Sequence, residues 1–122
     1  MPLRNLEHIN VYCADLDRSR TFYAEVLGLE DGARPNFGIP GAWLYLGDRP
    51  VVHLVGGRQG EAPLKTGPFD HIAFEASDFQ AMRSTLQAQG LDFQENDVPD
   101  FKIRQLFVRD PDGVRIELNF RE

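Results

Sequence analysis

The sequence predicts an α+β fold built from two tandem βαβββ modules, and two observations carry this. Residues able to bind a metal recur in register. His8 in Leu6-Glu7-His8-Ile9-Asn10-Val11 and His71 in Phe69-Asp70-His71-Ile72-Ala73-Phe74 lie 63 positions apart. His53 in Val51-Val52-His53-Leu54 and Glu117 in Arg115-Ile116-Glu117-Leu118 lie 64 apart. The order of apolar runs and chain-turning residues also repeats, so that Asp15 matches Asp78 and Leu44 matches Leu106 with only small gaps. Module one then spans about residues 1–60 and module two about 66–122. Neither half is long enough to bury a good core alone, which predicts one domain over 1–122.

In the first half, Leu6 to Cys13 mixes apolar and polar residues as a half-buried strand does. Asp15 and Asp17 offer oxygens to the unpaired amides of a following helix. Within Arg18 to Leu27, Phe22, Tyr23, Val26 and Leu27 fall at helical spacing, and Gly28 can take the left-handed conformation that ends the helix. Glu30 to Gly41 is rich in Gly and Pro and reads as a loop around, at most, a short strand. Ala42 to Leu46 and Val51 to Val55 read as a hairpin joined by Gly47-Asp48-Arg49-Pro50. Gly56 to Pro68 is the connection between the halves.

The second half repeats the order. Phe69 to Ala76 is a strand. Asp78 caps a helix carrying Phe79, Met82, Leu86 and Ala88, and Gly90 stops it. Leu91 to Gln94 reads as a short strand. Ile103 to Val108 and Val114 to Phe120 flank Asp110-Pro111-Asp112-Gly113, whose Pro and Gly mark a tight turn.

Composition limits the partners. The 122 residues are 42% hydrophobic and 26% charged, ordinary for a soluble globular chain, and the net charge of -6 argues against nucleic acid and anionic membrane surfaces. The N-terminal segment has no signal-peptide core, and no run approaches a membrane span, so a cytoplasmic location is expected. Cys13 is the only cysteine and reads as a small buried hydrophobe. Three imidazoles and a carboxylate at mirrored positions suit one divalent transition metal, with Zn, Ni, Fe and Mn all compatible. Taken singly, a histidine in a strand is more often a hydrogen-bonded core or surface residue than a ligand, and Glu117 could point to solvent by strand alternation.

Phe22-Tyr23-Ala24-Glu25-Val26-Leu27-Gly28-Leu29, Asp70-His71-Ile72-Ala73-Phe74 and Asp110-Pro111-Asp112-Gly113-Val114-Arg115-Ile116-Glu117-Leu118 resemble the vicinal-oxygen-chelate superfamily. This group includes glyoxalase I, fosfomycin-resistance transferases, extradiol dioxygenases, methylmalonyl-CoA epimerase and bleomycin-binding proteins. The resemblance covers nearly the whole chain. It implies a cup-shaped mixed sheet around a metal site, with ligands on His8, His53, His71 and Glu117. It also implies a homodimer, in which modules of two chains can complete each site. His53 is either a fourth ligand or an acid or base beside the metal.

The shared chemistry of such proteins is a metal gripping two adjacent substrate oxygens while charge develops. Glu117 is then both ligand and base, with His53 as the second catalytic candidate. Tyr12 and Gly57 stand where a bacterial glyoxalase places an arginine and an asparagine for glutathione, so the resemblance implies a smaller or differently charged substrate. By strand alternation Asn10 and Tyr12 share the His8 face, Glu75 the His71 face, and Arg115 and Asn119 the Glu117 face. Glu75 could instead pair with Arg115. Trp43 and Tyr45 are candidates for an aromatic wall, Arg104 for a substrate carboxylate, and the loop Arg34 to Gly41 for a cover over the cup. The leading expectation is a metal-dependent lyase or isomerase of the glyoxalase type acting on a small oxygenated metabolite. An iron-dependent ring-cleaving dioxygenase and a metal-free drug-binding protein are the alternatives.

Overall fold

A computed structural model describes residues 5–57, 69 and 71–122. The chain divides into two compact units, Met1–Ala62 and Pro63–Glu122, each holding one four-stranded mixed sheet.

In the first unit the elements are β1 (Ile9–Tyr12), α1 (Leu16–Thr21), β2 (Glu30–Gly32), β3 (Gly41–Leu46) and β4 (Arg49–Val55), in sheet order β1-β4-β3-β2. Strand β1 runs parallel to β4; the other pairs are antiparallel. Helix α1 begins two residues earlier than the apolar spacing suggests, because Asp15 caps it: its Oδ1 accepts from the Arg18 amide at 3.1 Å. It continues into a π-helical turn, Phe22–Val26, in which the Leu27 amide reaches back to the Phe22 carbonyl. Phe22, Tyr23 and Val26 are all buried, on the one face that their spacing predicts. Gly28 then ends the segment at φ +78°. The helix lies against β3 and β4, whose residues Ala42, Leu44, Val52 and Leu54 form the core with Val11 and Cys13.

The second unit contains β5 (Ile72–Ala76), α2 (Phe79–Ala88), β6 (Phe93–Val98), β7 (Ile103–Arg109) and β8 (Arg115–Phe120), in sheet order β5-β8-β7-β6. The pattern repeats strand for strand, with β5 parallel to β8. Asp78 caps α2 through an Oδ1 bond to the Ala81 amide at 3.1 Å. Its core is Phe79, Leu86, Leu106, Val108, Ile116, Leu118 and Phe120, with Phe79 packed edge-on against Phe120 at 5.3 Å. The repeat read from the sequence is thus a repeat of topology.

Several boundaries differ from expectation. The ladder of β1 begins at Ile9 and that of β5 at Ile72, so His8 and His71 each stand one residue ahead of their strands. Asp70 and most of the connecting segment, residues 58–68, lie outside the described residues. The hairpin of β3 and β4 turns on Gly47 and Asp48 alone, and Arg49 and Pro50 belong to β4. Between Leu44↔Val52 and Tyr45↔Pro50 the register shifts, a bulge that accommodates a proline with no amide to give the ladder. Strand β6 runs to Val98 rather than Gln94. It is an edge strand whose residues Gln94 to Asp97 are all exposed, so no apolar alternation marks it. No helix among the described residues is long and apolar enough to cross a membrane.

Candidate functional site

Strand parity decides which side chains share a face. In the first unit Asn10, His53 and Trp43 are register partners across β1, β4 and β3. Tyr12, Val55 and Gly41 form the next row on the same side. The opposite side, with Val11, Leu54 and Leu44, is buried under α1. His8 has the parity of Asn10 and Tyr12, and its ring stacks on His53 with centroids 3.8 Å apart and planes 11° from parallel. Trp43 stacks on His53 at 4.1 Å and 11°. His53 is therefore the middle ring of a three-ring column.

The column is held at one end and at its middle ring. His8 Nδ1 lies 3.0 Å from Glu7 Oε1. His53 Nε2 donates to the Pro50 carbonyl at 3.0 Å, next to the register shift between β3 and β4. Burial, followed by the charge of His8, holds the His53 pKa below 6.5. With Nε2 donating, Nδ1 of the neutral ring keeps its lone pair. Because the stacked rings lie in nearly parallel planes, their lone pairs do not converge on one point. His8 and His53 are together, but as a stack rather than a chelate.

The second unit pairs the other two candidates. His71 Nε2 and Glu117 Oε1 are 3.3 Å apart. Two cis donors on one transition-metal ion, each at roughly 2.0–2.2 Å, stand roughly 3.0–3.4 Å from one another. The donor types and their spacing therefore fit a shared metal. Glu117's other oxygen is occupied: Asn119 Nδ2 donates to Oε2 at 2.8 Å. Gln105 Nε2 donates to Asn119 Oδ1 at 3.0 Å, and Asn96 Nδ2 to Gln105 Oε1 at 2.7 Å. Asn96, Gln105 and Asn119 are register partners across β6, β7 and β8. A carboxylate accepts only, so it sets the direction of all three amides behind it. Among the described residues no three His, Cys, Asp or Glu side chains gather as a ready-made cage.

The Asp110 turn sets the start of β8. Asp110 is buried, and its Oδ1 accepts from the amides of Asp112 (2.9 Å) and Val114 (2.8 Å). An open cavity of about 580 Å³ lies nearby, lined in part by Asp92, Gln94, Phe107, Arg109 and Arg115. The Arg115 guanidinium sits 4.4 Å over the Phe107 ring.

The remaining candidates divide. Asn10 and Tyr12 are exposed on the His53 face, and Trp43 is in the column itself. Tyr45 is occupied elsewhere, its hydroxyl donating to the Ala33 carbonyl at 2.6 Å. Arg104 is not brought to Glu117. It pairs in register with Phe120, one residue out of phase with Gln105 and Asn119, and its guanidinium lies 3.6 Å over Phe79 on the helix side. Glu75 pairs with Arg121 at 3.2 Å rather than with Arg115. Sequence reasoning missed Gln105 and Asn96, and saw in Arg34 only the start of a loop. The signal for the amides was available, since alternation back from Asn119 and across a hairpin of known register finds them.

A model of the Glyoxalase/Bleomycin resistance protein/Dioxygenase superfamily matches residues 5–118. The chain belongs to this superfamily. It is 35% identical over 123 residues to a protein named Glyoxylase I 4 from Arabidopsis thaliana, covering 95% of this chain and 70% of that protein. It is 29% identical to glutathione transferase FosA from Serratia marcescens, covering 96% and 81%. Its fold is shared with a glyoxylase/bleomycin resistance protein/dioxygenase domain from Frankia sp. EAN1pec, at a TM-score of 0.80 and 22% identity over 97% of this chain and 98% of that one.

Proposed function

We propose that this protein is a divalent-metal-dependent enzyme of the glyoxalase type, a lyase or isomerase acting on a small oxygenated metabolite. The observation that carries the reading is the 3.3 Å approach of His71 Nε2 and Glu117 Oε1, with Oε2 already held by Asn119. His8, His71 and Glu117 are the proposed ligands. His53 was a candidate fourth ligand, but its place in the ring column favours the other role considered for it, a proton acceptor beside the metal. A bound metal would supply a grip on two adjacent substrate oxygens and a sink for the charge that develops on them.

The chain's own residues do the rest. Glu117 is ligand and base in turn: when Oε1 is not engaged as a ligand it can take a proton from the carbon next to a held oxygen, while Oε2 stays fixed to Asn119. His53 stays neutral below the usual imidazole range, so its Nδ1 is an acceptor at neutral pH. Asn10 and Tyr12 line the same face of the first sheet and would orient a small substrate beside it. The similarity to Glyoxylase I 4 and to glutathione transferase FosA supports this class of chemistry.

The test is an isomerase or lyase assay on α-oxo-aldehyde substrates, with and without thiol, using protein loaded in turn with zinc, nickel, manganese and ferrous iron. Turnover that needs both metal and Glu117 supports the reading. Ring cleavage of catechols by the iron form alone would replace it with the dioxygenase class.

A further inference from the structure

The His53 side of the first sheet carries a guanidinium that no carboxylate among the described residues neutralises. Arg34 is half-buried, and its Nη1 donates to the Ile39 carbonyl at 3.2 Å. Its guanidinium carbon lies 4.9 Å over the Phe37 ring, and Phe37 leans against Trp43 at 6.2 Å. The other terminal nitrogen crosses Gly41 so closely that a Cβ there would stand 2.5 Å from it. Gly41 has the parity of Trp43, so this Cβ position lies on the His53 side of the sheet. The guanidinium is thus located by a carbonyl, an aromatic face and a missing side chain. None of the three carries charge, and no carboxylate pairs with Arg34 among the described residues.

A second arginine at the same glycine gives the contrast. Arg20 Nη2 reaches the Gly41 carbonyl at 3.4 Å, yet Arg20 is bridged to Asp31 at 3.0 Å and to Asp17 at 3.5 Å. A partly desolvated cation held in place without a counter-charge is arranged for an anion that arrives.

We propose that Arg34 is an oxyanion subsite, and that the substrate of this protein carries a compact carboxylate or phosphonate which Arg34 receives beside Trp43. The subsite lies one row of the sheet, roughly 7 Å, along from His53. This rests on the metal-site reading above and adds the charge class of its substrate. A fork of donors placed by Phe37 and Ile39 suits two oxygens of one planar or tetrahedral oxyanion.

Trp43 is the only tryptophan and lies between the ring that supports Arg34 and the ring of His53, so its emission reports on the subsite. The experiment titrates metal-free protein at fixed ionic strength with acetate and, separately, with methylphosphonate. A saturable change in Trp43 emission is expected from at least one, and the responding probe tells carboxylate from phosphonate. Arg34→Gln should weaken that binding about 10- to 100-fold, the scale of a charge-assisted paired contact. Arg34→Met, which keeps the stem against Phe37, serves if Arg34→Gln does not fold. Arg83→Gln, at an arginine bridged to Glu95, should leave the titration unchanged. Metal stoichiometry measured on the same variants should be equal to wild type; its loss in wild type would count against the metal reading and leave the anion result standing. No saturable response in wild type, or a response that survives both Arg34 substitutions, overturns the subsite.

Discussion

Glu117 divides its two oxygens between two partners, and that division makes it usable. Oε2 accepts from Asn119, itself the end of a three-amide chain, so the carboxylate cannot swing away from His71 without breaking a 2.8 Å hydrogen bond. Asn119→Leu removes the tether but no donor atom. The expected outcome is a metal affinity weakened about 10- to 100-fold with the fold intact, read by metal titration alongside circular dichroism. His53 gives a prediction of opposite kind. Its folded-state pKa lies below 6.5, so the unfolded chain takes up its proton first on acidification. The neutral ring's contribution is fully present above that value and is lost as pH falls from there through the lowered folded-state pKa. Metal-free wild type should therefore lose more stability between about pH 7 and pH 5 than His53→Gln, as measured by urea midpoints.

Turns, as well as the strands they join, position the candidate residues. The buried Asp110 carboxylate satisfies the backbone amides of Asp112 and Val114, in the turn that leads into β8 at Arg115. Asp110→Ala should cost about 1–3 kcal/mol of stability, seen as a lower denaturation midpoint, because it leaves the buried Asp112 amide and the part-buried Val114 amide without that partner. The Asp-Pro-Asp-Gly signature made this turn legible. Helix α1 was legible only in part: Phe22, Tyr23 and Val26 were recognised as buried, while the π-helical turn that carries them depends on tertiary packing. Strand β6 was misjudged in length because an exposed edge strand has no buried face to impose alternation. Pro50 reads as part of the turn in the sequence, yet it belongs to β4 and supplies the carbonyl that holds His53.

At the scale of the whole molecule, the repeat is the feature that the sequence carried best. Histidines at matching offsets fall one residue ahead of matching strands, and the two sheets have the same strand order. Pairing was legible within each unit, since His8 meets His53 and His71 meets Glu117. Parity between neighbouring strands was not, because a one-residue difference in register sends a side chain to the other face; Arg104 lies over Phe79 for that reason. The stacking of His8, His53 and Trp43 was likewise hidden, being a matter of ring orientation that spacing does not encode. If His8 and Glu117 are both ligands, metal should raise the thermal midpoint of wild type, and His8→Ala and Glu117→Ala should each remove that rise. The most direct measurement is the metal content of untagged protein by elemental analysis, comparing wild type with Glu117→Ala and His53→Ala. The account predicts close to one equivalent per site in wild type, its loss in Glu117→Ala and its retention in His53→Ala. Failure of wild type to hold any of zinc, nickel, manganese or iron after loading would contradict it and leave a ligand-binding protein in place of an enzyme.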